Sequence, residues 1–266
     1  CFDNGYDKTY SQVVRRYVDN GTGKQNSELI SQIYNVLREG YRNEYYYKNT
    51  LLNKLLLGIH SVNTTTALTE IPIAKSKADF VLINGKAVVY EIKTELDNFD
   101  RLENQINDYY KAFDHVAVVT CKENLQVLKK KIEMIGKPVG IYILQKRGTI
   151  TTIQKPQAYS VELDAEILFK ILRKQEYEEI LFNKYKHLPD VSEFKYYSEC
   201  KKMFLEIPLE EAYLSVLKLL KKRSQIIKDE FSKIPYELKF LAYFMNLKSD
   251  DYKKITKFLN ESYGGV

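Results

Sequence analysis

Apolar positions recur at helical spacing through the first part of the chain. Val13, Val14 and Tyr17 mark a short amphipathic helix over 7–18, and Asn20-Gly21-Thr22-Gly23 breaks it. Ser27 suits an N-cap for a second helix, whose apolar face is Leu29, Ile30, Ile33, Val36 and Leu37, up to Gly40. A third runs from Tyr41 to Leu57, with Tyr45, Leu52, Leu55 and Leu56 facing a core and Gly58 as its stop. The period then drops to two. Residues 66–73, 78–84 and 86–93 read as strands, and Asn84-Gly85 between the last two predicts a tight hairpin. A helix over 98–113 and a continuous apolar run of buried-strand type over 115–120 follow. Next come a Lys-rich helix over 123–135, ended by Gly136-Lys137-Pro138, a second buried strand over 139–144 and an edge strand over 149–154. From Asp164 onward the pattern is helical, notably over 164–184, 209–231 and 235–260, with interruptions at Leu188-Pro189-Asp190 and Ile234-Pro235.

The order α-β-β-β-α-β-α-β over 41–155 starts with an antiparallel hairpin and adds later strands through helical crossovers. It predicts an α/β fold: a mixed sheet flanked by helices. The domain division expected from the pattern is an N-terminal helical segment (1–40), an α/β core (41–158) and an all-helical C-terminal domain (159–266).

Composition narrows the classes. Of 266 residues, 44% are hydrophobic, and 22 Tyr with 12 Phe supply ample surface to bury, which excludes disorder as the main state. No apolar run approaches the roughly 20 residues of a membrane span. The three cysteines, Cys1, Cys121 and Cys200, are odd in number and far apart, so they form neither a CxxC site nor a disulfide framework. A cytoplasmic protein is the expectation. The chain begins at Cys1 rather than Met, which leaves its N-terminus open. Three histidines, His60, His115 and His187, have no ligand spacing and receive no role. The formal net charge is +6, of which residues 1–158 carry +5, a balance compatible with a polyanion partner.

The informative stretch runs from Ala78 to Tyr109. Asp79 opens one hairpin strand and Glu91-Ile92-Lys93 closes the other, so antiparallel pairing brings them together at one end of the sheet. The period of two puts Glu91 and Lys93 on one face. Two carboxylates and an ammonium in one place suit a hard divalent cation such as Mg2+ or Mn2+. A metal-bound water could attack a phosphodiester, with Lys93 positioning or deprotonating it or stabilising the developing charge. On the next helix Arg101, Gln105 and Tyr109 stand at i, i+4 and i+8, one polar stripe that could hold a nucleic-acid backbone or orient Lys93. Arg101 has a simpler partner in Asp97.

Asp79, Glu91-x-Lys93 and Gln105-Ile106-Asn107-Asp108-Tyr109 together resemble the PD-(D/E)XK nuclease superfamily. The QxxxY helix resembles its RecB-type and lambda-exonuclease-type branch. The stretch YEIKTELDNFDRLENQINDYYKAFDHVAVVT is similar to small, mostly uncharacterised bacterial proteins assigned there. The resemblance covers about residues 40–145, and Ala78 stands where the name-giving motif has Pro. It implies a restriction-endonuclease-like fold and a metal-dependent nuclease, with DNA favoured as substrate. By residue it implies Asp79 and Glu91 as metal ligands, the Ile92 carbonyl as a third, and Lys93 as the catalytic lysine. Gln105 and Tyr109 are the helix motif. Glu44 fits an additional acid on the helix before the sheet, and Glu70 on the first strand competes with it.

The alternative is a nuclease-fold module that binds DNA or a partner without turnover. The C-terminal helices are the candidate surface for a protein partner. Tyr45-Tyr46-Tyr47 are expected to pack, and Lys129-Lys130-Lys131 and Lys221-Lys222-Arg223 to be solvated helix faces.

Overall fold

The computed structural model describes residues 8–40, 42–59, 63–224 and 226–265. Cys1, Tyr41 and His60 lie outside them. The first elements are helices α1 (Lys8–Tyr17), α2 (Asn26–Glu39) and α3 (Glu44–Leu51), the last continued by a π-helical stretch, Leu52–Ile59. Strands β1 (Thr66–Ile73), β2 (Ser76–Asn84) and β3 (Lys86–Ile92) follow, then α4 (Leu102–Tyr110), β4 (His115–Thr120), α5 (Leu125–Ile135), β5 (Gly140–Leu144) and β6 (Ile150–Gln154). The remainder is helical: α6 (Ala165–Lys170), α7 (Lys174–Tyr185), α8 (Glu193–Leu205), α9 (Leu209–Lys221), α10 (Lys228–Lys233), α11 (Lys239–Phe244) and α12 (Ser249–Asn260).

The expected third helix changes pitch at its middle. Asn53 Nδ2 donates to the Asn49 carbonyl at 2.9 Å and so takes the acceptor an α-helical ladder would give the Asn53 amide.

The chain forms two compact units, and they divide it differently from the linear 1–40, 41–158 and 159–266 expected from the pattern. One unit joins Cys1–Val62 and Gln145–Thr149 to Gln225–Val266; the other holds Asn63–Leu144 and Ile150–Ser224. The first unit is held by long-range polar bonds that periodicity does not reveal. Fully buried Asn49 donates to Tyr34 Oη (2.9 Å) and the Tyr236 carbonyl (3.0 Å) and accepts from the Phe240 amide (3.0 Å). Asn26, also fully buried, donates to the Phe258 carbonyl at 2.9 Å and accepts from Tyr10 Oη at 2.7 Å. Each amide is matched on both its donor and acceptor sides, so neither leaves a buried polar atom at its full desolvation cost. Tyr46 and Tyr47 are buried here, and the Tyr45 ring packs edge-on against Phe240 at 5.9 Å.

The second unit is a six-stranded mixed sheet in the sequential order β1-β2-β3-β4-β5-β6. The β1–β2, β2–β3 and β5–β6 pairs are antiparallel; β3–β4 and β4–β5 are parallel. The hairpin turns at Gly85, whose φ of +70° is the left-handed conformation that glycine adopts without steric cost, with Asn84 opposite Lys86. β4 is buried at every position, as its unbroken apolar run requires, whereas β6 is mostly exposed. Val81, Ile83, Val89, Val116, Val118 and Ile141 line one sheet face and share a core with α4 and α5. Leu168, Leu181, Phe204, Val216 and Leu220 belong to that same core, so helices α6 to α9 cover the sheet and are not a separate domain.

Arg223 departs from the solvated face expected of it. Its guanidinium grips Glu176 bidentately (Nε–Oε1 2.6 Å, Nη2–Oε2 2.5 Å) and donates to the Ile171 carbonyl at 2.7 Å. Burial raises the Glu176 carboxyl, but the Arg223 hydrogen bonds outweigh it and hold the group below its ordinary value. A depressed carboxyl contributes stability that is complete above its unfolded pKa and disappears as pH falls through the folded one. Glu176→Gln, which leaves Arg223 buried without its counter-charge, is expected to cost about 3–5 kcal/mol. The check is urea unfolding at neutral pH, where the variant's midpoint falls, and at progressively lower pH, where the difference shrinks as pH drops below the ordinary Glu value of about 4.3 and through the depressed folded one.

Candidate active site

The site forms where β2 ends against β3. Ladder pairing runs from Asn84↔Lys86 to Phe80↔Tyr90, and one step further the register sets Asp79 opposite Glu91. Alternation places Asp79, Glu91 and Lys93 on the same face as Val81 and Val89, the face that α4 covers. Past the last ladder pair the Ile92 amide would lack a β2 carbonyl; it donates instead to Asp79 Oδ2 at 2.8 Å. A strand residue's N–H and C=O point to the same side, so the Ile92 carbonyl faces the Asp79 edge too.

Glu91 is buried, only 2% exposed, and both its oxygens are taken. Oε1 accepts from Lys93 Nζ at 2.9 Å and Gln105 Nε2 at 2.5 Å; Oε2 accepts from Tyr109 Oη at 2.5 Å. Lys93 Nζ also donates to Gln105 Oε1 at 2.9 Å, which closes a ring of three side chains. The i, i+4 spacing of Gln105 and Tyr109 on α4 lets both reach one carboxylate. The Tyr109 hydroxyl also lies 2.9 Å from the Lys77 carbonyl, but its one hydrogen goes to the charged acceptor, which makes the stronger bond. Burial first, and then the Glu91 charge, push the Tyr109 hydroxyl far above the ordinary tyrosine range, so it remains a donor.

The strand end is pinned from behind. The Lys93 amide donates to the Val119 carbonyl at 2.9 Å, and its carbonyl accepts from Thr120 Oγ1 at 2.6 Å. Thr94 then turns the chain: its amide (2.7 Å) and hydroxyl (2.6 Å) both donate to Asp97 Oδ2, and Asn124 Nδ2 holds the Thr94 carbonyl at 3.0 Å. These supports were not among the candidates from sequence, although Thr94-x-x-Asp97 after a strand is a turn signature that could have shown them.

Glu70 lies opposite Asp79 on β1, and the two carboxylates come within 4.8 Å of each other. The Thr69 hydroxyl holds the Asp79 carbonyl at 2.7 Å, and the Glu70 side chain pairs with Lys77 at 3.0 Å. Glu70 has a φ of +56°, a left-handed backbone in mid-strand at a residue that is not glycine. Glu44 opens α3 in the other unit, where its exposed carboxylate pairs with Lys48 Nζ at 2.7 Å. Arg101 is exposed at the start of α4 and makes no salt bridge among the described residues; Asp97, its expected partner, is held by Thr94. Tyr109 is fully buried, so of the expected nucleic-acid contacts it has no surface to offer and acts as a positioning group.

The donor set is all oxygen: Asp79, Glu91, the Ile92 carbonyl and the nearby Glu70, which fits a hard divalent cation. Tyr109→Phe removes the sole donor to Glu91 Oε2 named above, and a hydrogen bond to a buried charge contributes about 1.5–3 kcal/mol. The expected loss of stability in urea unfolding is of that size; an unchanged midpoint would mean that Glu91 does not depend on Tyr109.

No solved structure matches this chain. Protein cII of Enterobacteria phage P4 is 24% identical over 143 residues, 52% of this chain and 49% of that protein. The chain thus spans about half the length of that curated relative. The family model described as Bacteriophage P4 protein cII matches residues 38–240, which include every strand and the whole of the candidate site. That match covers well over half of the 266 residues, and the chain belongs to the Bacteriophage P4 protein cII family.

Proposed function

We propose that this protein is a metal-dependent nuclease that hydrolyses phosphodiester bonds, with DNA as its favoured substrate. One observation carries the reading: Asp79, Glu91 and Lys93 meet at one strand end, and the Gln105-Tyr109 helix locks Glu91 and Lys93 in place. Asp79, Glu91 and the Ile92 carbonyl would hold Mg2+ or Mn2+, with Glu70 as a further acid. When bound, such an ion supplies charge to the phosphoryl oxygens and acidifies a water.

The chain's own residues do the rest. An ammonium has three N–H donors, and Lys93 uses two on Glu91 and Gln105. The third can meet a phosphoryl oxygen or the attacking water, and Gln105 fixes its direction. Tyr109 keeps Glu91 oriented without itself touching substrate.

A second reading, a nuclease-fold binding module without turnover, is favoured by one feature: the Glu91 oxygens are already satisfied within the protein.

The deciding assay incubates circular and linear DNA, single- and double-stranded, with Mg2+, Mn2+ or EDTA. Metal-dependent cleavage is expected, with losses of at least about 100-fold for Lys93→Ala and Asp79→Asn, the scale on which a positioned acid–base or charge-stabilising group acts. Full activity in Lys93→Ala would refute the roles given; binding without cleavage of any form would establish the second reading.

A further inference from the structure

A groove of about 1050 Å3 opens beside the site, bounded by the β1–β2 turn, the outer side of α4 and the end of α6. Its basic side chains are Lys75, Lys77, Arg101, Lys111 and Lys170, and its one acid is Asp108. Asp108 is fully engaged inside the wall. Its Oδ2 accepts from Ser76 Oγ (2.8 Å) and the Lys75 amide (3.2 Å), and Oδ1 pairs with Lys111 Nζ at 2.9 Å. Burial opposes its charge, but the Lys111 and Ser76 hydrogen bonds hold the carboxyl below its usual range. The same bonds fix the turn, whose Ala74 has a φ of +52°, so Lys75 stands on a preset wall and not on a loose loop. Lys75, Arg101 and Lys170 are exposed along the groove. Gln105 belongs to the lining as well, and its amide bonds to both Glu91 and Lys93.

We infer that this groove binds the phosphate backbone of a DNA duplex and leads it to the strand end where Asp79, Glu91 and Lys93 meet. The choice of a duplex rests on the lining. Single strands are held by bases stacked on aromatic rings, and no aromatic residue lines the groove among the described residues. Lysines, an arginine and side-chain amides instead match the contacts that position a duplex through its phosphates. An apolar peptide finds little there, since Ala74 and Ile167 are the apolar residues of the lining. The inference rests on the nuclease reading for its partner, but its test needs no cleavage.

The test is fluorescence anisotropy of labelled 20-base-pair duplex DNA in EDTA, titrated with the whole protein across a salt series. Wild type is compared with Lys75→Gln/Arg101→Gln/Lys170→Gln. All three side chains are exposed, and circular dichroism checks that the fold is kept. Each phosphate contact contributes about 0.9 to the slope of log K against log salt. The triple variant should lose about that much slope per residue, roughly tenfold in affinity per contact at 0.1 M salt. The single variants Lys75→Gln and Lys170→Gln should each show one such step, which keeps the test open should the triple variant not fold. Lys129→Gln/Lys130→Gln, on the exposed side of α5, should leave the slope in place. An unchanged slope in the triple variant would overturn the groove, as would an equal loss in the α5 variant, tighter binding of single-stranded DNA or duplex RNA, or no binding by wild type. Binding through the groove with no cleavage under any metal would instead overturn the nuclease reading and leave this one standing.

Discussion

A carboxylate buried at the end of an interior strand must be given hydrogen-bond donors by the protein, and Glu91 takes its donors from two directions. Lys93 comes from its own strand two residues on; Gln105 and Tyr109 come from α4. The cost of removing a charge from water is several kcal/mol, and it is offset only when geometry and hydrogen bonding are complete. α4 therefore cannot slide or rotate on the sheet without stranding that charge. The helix is anchored by apolar Leu102, Ile106 and Tyr110 on either side, yet those contacts alone would tolerate small shifts. The Glu91 network sets the position.

Chain topology then follows from that position. α4 is the crossover between the parallel strands β3 and β4, and α5 is the crossover between β4 and β5; both lie in the core on one face. The carboxyl ends of parallel strands are where such sheets hold ligands, because the chain leaves the sheet there and its loops are free to carry chemistry. Lys93, Thr94, Thr120 and Asn124 all fall at those ends of β3 and β4. β1 and β2 join from the antiparallel side and contribute acids, Glu70 and Asp79, to the same edge.

How much of this was legible depends on how far the partner lies along the chain. The strands over 66–73 and 115–120 match the period-two and all-apolar readings to the residue. Local pairing across Asn84-Gly85 was enough to bring Asp79 to Glu91, and helical spacing was enough to put Gln105 and Tyr109 on one stripe. What the pattern could not show is which distant segment covers which face. Residues 225–266 return to the N-terminal helices through Asn26 and Asn49, amides that look like any other polar helix position. Arg223 sits in a Lys-Lys-Arg run that periodicity assigns to solvent, yet it meets Glu176 across 47 residues. Helical spacing groups Tyr109 with Arg101 and Gln105 in a polar stripe that could hold nucleic acid or orient Lys93; its ring is buried and its hydroxyl meets Glu91 on β3. The Asp108 clamp on Lys75 and Ser76 spans 33 and 32 residues and was invisible for the same reason.

Stability alone is a poor account of this corner of the sheet. A buried Glu–Lys pair is often no better for stability than well-packed apolar side chains of the same volume. The left-handed backbone at Glu70 costs of order 1–3 kcal/mol, which a glycine would relieve. These two unfavourable features flank Asp79, one on β1 and one on β3. In the same unit Gly85 and Gly136 take the positive φ at the hairpin and at the end of α5, while Ala74 and Lys186 take it in a turn and at a helix end. Glu70 is thus a carboxylate kept where the backbone prefers a glycine, within 4.8 Å of Asp79. Local rules broken together at one place are what a functional site is expected to show, and this supports the proposal that Asp79 and Glu91 belong to one.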